Sequence, residues 1–166
     1  MKINLIFFLS EFVIGGAGNS IFKLCKNLSK KKYNIAIISL NKCSYKKELV
    51  DCGVSVYEIK SSKTIFAMPK IKKIIKKLID NKNKNIFLSN IYYSNVLSIL
   101  FLRSLNMKLI LIERTPFQEL SIYYSFFDFI KKNIIKFLIR HTYFKADDCI
   151  SNSKYISNAY NNYYNL

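Results

Sequence analysis

Apolar residues come in short unbroken runs, separated by amphipathic stretches along the whole chain. The first run, INLIFFL at residues 3–9, shows no alternation, as a strand covered on both faces should. Residues 19–32 then repeat apolar side chains at Ile21, Leu24, Cys25 and Leu28, the stripe of a helix. The rhythm recurs. Runs at 34–40, 54–59, 86–89, 108–113 and 149–151 read as strands. Residues 45–52 read as a short helix stopped by Gly53. Longer helices are predicted at 92–105, 127–144 and 154–160, and another is entered at Pro69, a residue suited to a first helical turn. In that helix Ile71, Ile74, Ile75 and Leu78 line one face, and Lys72, Lys73, Lys76 and Lys77 crowd the other. The tail at 161–166 has no pattern and is expected to fray.

This alternation predicts an α/β fold, a doubly wound, Rossmann-like parallel sheet forming a single domain over residues 1–166. Ligands of such sheets bind beyond the carboxyl ends of the strands. Those ends are the loops at 10–18, 41–44, 90–94, 114–118 and 152–153. The first carries Gly15-Gly16-Ala17-Gly18 between a strand and a helix. Glycines there let the backbone approach a phosphate or sugar, and free N–H groups at the helix start favour an anion. An ordinary turn needing positive φ would use the same glycines.

Composition narrows the picture. A 51% hydrophobic chain excludes a disordered protein. The net charge of +17 points to acidic partners such as nucleic acid, anionic lipid or a phosphorylated substrate. A coding bias toward Lys, Asn and Ile accounts for the same charge. No nucleic-acid motif is present, and aromatics do not interleave with the lysines, so nucleic acid is not expected as a partner. Cys25, Cys43, Cys52 and Cys149 show no close pairs, and the single histidine stands apart, so no metal site is expected. Cys25 and Cys149 read as buried thiols, which suits a reducing, cytoplasmic compartment. Residues 1–18 imitate a signal peptide, but Glu11 interrupts them and a first strand accounts for the same residues. The apolar stretch at 96–112 is too interrupted for a membrane span.

Two nucleotide motifs fit poorly. Gly16-Ala17-Gly18-Asn19-Ser20-Ile21 matches only two glycines of G-x-G-x-x-G, and Ile21 occupies the third position. The second strand ends Ser39-Leu40-Asn41-Lys42, with no acid for a ribose. A dinucleotide-dependent Rossmann enzyme therefore stays as an alternative only, and the phosphate loop with Gly-Lys-Ser/Thr is excluded.

The order of these steps resembles the N-terminal, acceptor-side domain of family-4 glycosyltransferases, half of a GT-B fold. The opening MKINLIFFLSEFVIGGAG, the step ELVDCGVSVYEI, the strand end IFLSNIYYSN, the strand end LIERT and the close KADDCISNSK each resemble the family pattern. The resemblance implies retaining transfer of a sugar from a nucleotide-sugar. This domain would hold the acceptor, and a C-terminal domain would hold the nucleotide. The family's C-terminal E-x7-E motif is absent from these 166 residues, so the chain is expected to lack the donor-binding half and to be inactive alone. Two departures put catalysis in doubt. Gly18 stands where the family often has an acid, and Thr115-Pro116-Phe117 stands where some relatives carry a cleft histidine.

Gly15, Gly16, Asn90, Glu113, Arg114 and Ser153 are the expected substrate-binding residues. Arg114 would pair with phosphate and Glu113 with sugar hydroxyls, unless the two pair with each other. Asn90 and Ser153 would otherwise cap the helices that follow them. His141 is expected on a buried face with Ile130, Ile134 and Phe137. Lys132, Lys136 and Arg140, with Lys72, Lys73, Lys76 and Lys77, form candidate membrane-surface stripes that would otherwise be solvated faces. The resemblance implies a sugar or lipid-linked acceptor and a nucleotide-sugar co-substrate with no further cofactor. It also implies a possible separate C-terminal-domain subunit, and a place in the cytoplasm or on the inner face of the plasma membrane during surface polysaccharide or glycolipid synthesis. A non-catalytic acceptor- or membrane-binding module is the second alternative.

Overall fold

In the computed structural model, which describes residues 2–164, six parallel strands form one sheet in the order β3-β2-β1-β4-β5-β6. The strands are β1 (Ile3–Leu9), β2 (Tyr33–Ser39), β3 (Ser55–Glu58), β4 (Lys84–Asn90), β5 (Lys108–Glu113) and β6 (Asp148–Ser151). The helices are α1 (Gly16–Asn27), α2 (Lys46–Asp51), α3 (Thr64–Leu78), α4 (Tyr92–Leu102), α5 (Phe126–Thr142) and α6 (Lys154–Tyr164). Short 3-10 turns occupy Phe117–Ser121 and Tyr143–Lys145.

The unbroken apolar run of β1 has its reason in the layers. Ile6 and Phe8 face a core built with Met68, Ile71 and Ile75 of α3, Val96 and Ile99 of α4, and Ile135 and Ile139 of α5. Phe7 and Leu9 face the other way, onto Ile21 and Cys25 of α1 and Leu49 of α2. A strand buried on both faces needs no polar alternation. Asn4 is the buried exception, and its amide is satisfied by Asn85 (2.8 Å) and Asn34 (2.9 Å).

Several boundaries moved. α1 starts three residues before the expected Asn19 and stops at Asn27. α3 starts at Thr64, so Pro69 lies inside the helix and not in its first turn. Burial explains the continuation: Thr64, Ala67, Met68, Ile71 and Ile75 form one helical stripe across the proline. Gly53 does end the second helical segment, with φ 75. α6 continues to Tyr164 through most of the expected loose tail; residues 165 and 166 lie outside the described residues.

Two burial expectations fail. α5 buries Ile135, Ile139 and Thr142, while Ile130, Ile134, Phe137 and His141 are exposed. Both faces of this helix are apolar, and periodicity cannot say which one meets α4. His141 lies against the Phe137 ring, 4.2 Å between centroids, on the outside. Cys149 is also exposed, because β6 is an edge strand.

Candidate functional site at the carboxyl edge of the sheet

The chain winds in opposite directions from β1 and β4, which are neighbours in the sheet. Their following helices, α1 and α4, lie on opposite faces. The loops therefore diverge between these strands, at the position where doubly wound folds take ligands. Gly15, Gly16 and Asn90 lie at this edge, and Arg114 reaches it from the end of β5.

α1 begins with Gly15 at its cap and no side chain capping it. The first in-helix bond from its amides is Asn19 N to Gly15 O (2.8 Å), so the amides of Gly16, Ala17 and Gly18 have no acceptor within the helix. Open space adjoins Gly15 and Gly16. Neither needs a left-handed backbone: Gly53 alone of the described glycines lies in the left-handed region, and the φ of 171 at Gly15 is extended. The glycine required by sterics is Gly18. A Cβ there would stand 2.1 Å from the Val13 carbonyl oxygen. That close approach folds the loop at 10–15 against the helix start.

Arg114 is held over this helix. Its Nε donates to Asn90 Oδ1 (3.1 Å), and its NH1 donates to Ser20 Oγ (2.9 Å). Asn90 is buried and donates in turn to the Phe8 carbonyl at the end of β1 (3.1 Å). It therefore ties β1, β4 and Arg114 together and does not cap α4. The turn after it is made by one residue, Ile91, whose φ of 73 is a strained value for a β-branched side chain. Partial burial lowers the pKa of the Arg114 guanidinium, but the group remains a cation. Ser20 escaped sequence reasoning. Its signal was a polar residue one turn into the glycine-led helix.

Glu113 corrects the expectation of a sugar contact. It is 0% exposed. Leu109, Leu111 and Glu113 alternate onto one face of β5, which is covered by α4, α5 and α6. Asn95 Nδ2 (2.7 Å) and the Tyr143 hydroxyl donate to its Oε1, and the Tyr160 hydroxyl donates to its Oε2 (3.1 Å). Burial pushes its carboxyl pKa up to about 7, against the opposing pull of these three donors. Among the described residues no Glu113–Arg114 ion pair forms, because consecutive strand residues point to opposite faces. Ser153 caps α6, accepting from Ile156 N (3.3 Å).

A second depression on this edge, about 410 Å³, is lined by Lys42, Cys43, Lys46, Glu58 and Lys60. Glu58 pairs with Lys46 (2.7 Å) and accepts from the Cys43 amide (2.8 Å), leaving an excess of positive charge. The bridge between Phe12 and Cys43 joins it to the glycine loop. A larger depression, about 720 Å³ and lined by Asn81, Lys84, Asn85, Arg103, Lys108 and Asp147 among others, opens at the opposite, amino edge.

The membrane-surface candidates divide. Lys73, Lys76, Lys77 and Arg140 are exposed, and Lys72 is partly so. Lys132 is tied to Asp128 (3.0 Å), and Lys136 to Ser121 (3.1 Å) and Tyr123 (2.9 Å). No helix among the described residues is long and apolar enough to cross a membrane.

Residues 14–166 match the family described as Glycosyltransferase Family 4. A search of the curated proteins finds no significant match. Among solved structures, HepE of Anabaena, determined with UDP and glucose, superposes with a TM-score of 0.66 at 12% identity. The match covers 98% of this chain and 41% of that one. Sucrose-phosphate synthase from Thermosynechococcus elongatus gives a TM-score of 0.65 at 10% identity, covering 97% of this chain and 45% of that one. At these identities the likeness is one of fold, and the chain spans less than half the length of either protein.

Proposed function

Because this chain belongs to glycosyltransferase family 4, we propose that it forms the acceptor-side half of a retaining sugar transferase. A nucleotide-sugar enters as co-substrate, and the crevice between β1 and β4 is one wall of the active cleft. The observation that carries this reading is Arg114, fixed by Asn90 and Ser20 over the open amides of α1. A preset cation beside unfilled amides suits a leaving diphosphate, whose charge grows as the glycosidic bond breaks. The glycine loop leaves room for the acceptor beside it. HepE was solved with UDP and glucose, which supports a nucleotide-sugar as the donor class.

The chemistry assigned to these residues is electrostatic and positional. Arg114 and the amides neutralise charge, and no metal is invoked for that role. Donor binding is assigned to a C-terminal domain, in the same polypeptide or as a separate subunit. The product is assigned to surface polysaccharide or glycolipid, made at the cytoplasmic face of the membrane. The dinucleotide alternative meets a steric objection. Ile21, at the third glycine position, is buried between α1 and the sheet.

Transfer from a panel of nucleotide-sugars, measured with and without a donor-domain segment, tests the reading. Turnover that appears only with that segment and falls in Arg114→Ala supports it. Retention on a dinucleotide column, with no response to any nucleotide-sugar, overturns it.

A further inference from the structure

α5 carries two apolar faces, and only one is used in the fold. Ile135, Ile139 and Thr142 are buried. Phe126, Ile130, Ile134 and Phe137 fall within about 80° of one another on the opposite side. All four are exposed, Phe126 at 72% and Phe137 at 62%, and Phe127 beside them reaches 83%. The stripe runs about 16 Å along the helix. A contiguous exposed apolar surface of this kind marks a place where something docks.

The charges around it say what docks. α3, α4 and α5 pack side by side in one layer on the same face of the sheet. α3 contributes Lys70, Lys72, Lys73, Lys76 and Lys77 and no acid. α4 has no charged residue. α5 contributes Lys131, Lys132, Lys136 and Arg140 against a single acid, Asp128, which Lys132 neutralises. At the head of α3, Phe66 is exposed with Lys63 over its ring (5.9 Å). One side of the molecule is therefore cationic and studded with protruding aromatics. A second copy would present the same charges to itself, in a chain already at +17, and be repelled.

We propose that the outer face of the α3–α4–α5 layer docks on an anionic lipid surface. The stripe of Phe126, Ile130, Ile134 and Phe137 enters the headgroup boundary, and the α3 lysines meet the lipid charges. Aromatic insertion beside basic residues is the pattern that holds an amphipathic helix in an interface. This deepens one part of the proposed function, its place at the membrane, and rests on that part alone. It moves the contact from the basic stripe of α5, where Lys132 and Lys136 are occupied, to the apolar stripe. Loss of vesicle binding would leave the transferase reading intact, and loss of transfer would leave this one intact.

The chain has no tryptophan, so Phe127→Trp supplies a unique probe. Its emission is expected to shift to the blue with vesicles of phosphatidylcholine and phosphatidylglycerol, and not with phosphatidylcholine alone. Flotation of the unsubstituted chain should follow the same lipid preference and weaken in high salt. Phe126→Ser/Phe137→Ser should reduce flotation about tenfold or more through lost apolar insertion. Lys73→Gln/Lys76→Gln should reduce it roughly fivefold per lysine. These side chains are exposed, so unchanged thermal melting is expected for each variant and certifies the comparison. The proposal is overturned if the tryptophan does not shift with anionic vesicles at low salt. It is also overturned if flotation survives the phenylalanine substitutions unchanged, or if those substitutions instead dissolve a dimer seen by sedimentation.

Discussion

Glu113→Gln isolates the most unusual electrostatic feature of the fold. In the unfolded chain this carboxyl titrates near 4.5, and in the fold near 7. Its folded value is raised, so the native state holds a proton that the unfolded state has released. Stability is then full below about pH 4.5 and falls as pH rises toward 7. Each pH unit across that window costs about 1.4 kcal/mol, about 3 kcal/mol in all. Glutamine keeps the shape and offers the same oxygen to Asn95 and Tyr143, while its amide can donate to the Tyr160 hydroxyl. The variant should lack this slope. Urea unfolding of both proteins, from pH 4.5 to 8, gives the difference between them. Gln should gain relative to Glu by about 2–3 kcal/mol across the window, with most other titrations cancelling in the difference. A difference that stays flat with pH would show that the carboxyl is ionised in the fold, and would refute the assignment.

Arg114→Ala should weaken diphosphate or nucleotide-sugar binding in the assembled enzyme by roughly 10- to 100-fold, read by titration calorimetry. Lys at the same position should restore only part, because it lacks the fork that engages Asn90 and Ser20 together. Gly18→Ala should destabilise by about 1–3 kcal/mol, since its Cβ would strike the Val13 carbonyl. Gly15→Ala should leave denaturant unfolding nearly unchanged and affect only ligand binding, because open space adjoins it. Ile139→Ala should cost about 3 kcal/mol, and Ile134→Ala within about 0.5 kcal/mol, by urea unfolding. The reverse order would show that the wrong face of α5 has been assigned to the core.

Local pattern carried far in this chain. The six strands and six helices follow from runs and stripes, because a strand covered on both faces and a half-buried helix each leave a periodic mark. β5 at Lys108–Glu113 is legible to the residue, since Lys108 opens its apolar run and the turn at Pro116 follows closely. The family was legible too, because the order of strand ends and glycine loop is a linear property. The contacts of the candidate site were only half legible. Arg114 and Asn90 do lie at the carboxyl edge of the sheet, but their mutual bond joins residues 24 positions apart, and the Ser20 bond spans 94.

What the sequence determined alone was a doubly wound parallel sheet with its glycine loop at the carboxyl ends of the strands, since these depend on side-chain period and chain order. Tertiary structure decided which side of each element meets which neighbour. Both faces of α5 are apolar, and only packing on α4 selected Ile135 and Ile139 as core and left Phe126 and Phe137 outside. Glu113 and Arg114 are adjacent charges in sequence, yet the pleat sends one into a cage of hydroxyl and amide donors and the other toward Ser20. Burial, which no single segment encodes, separated an acid inside the fold from a cation at the carboxyl edge of the sheet.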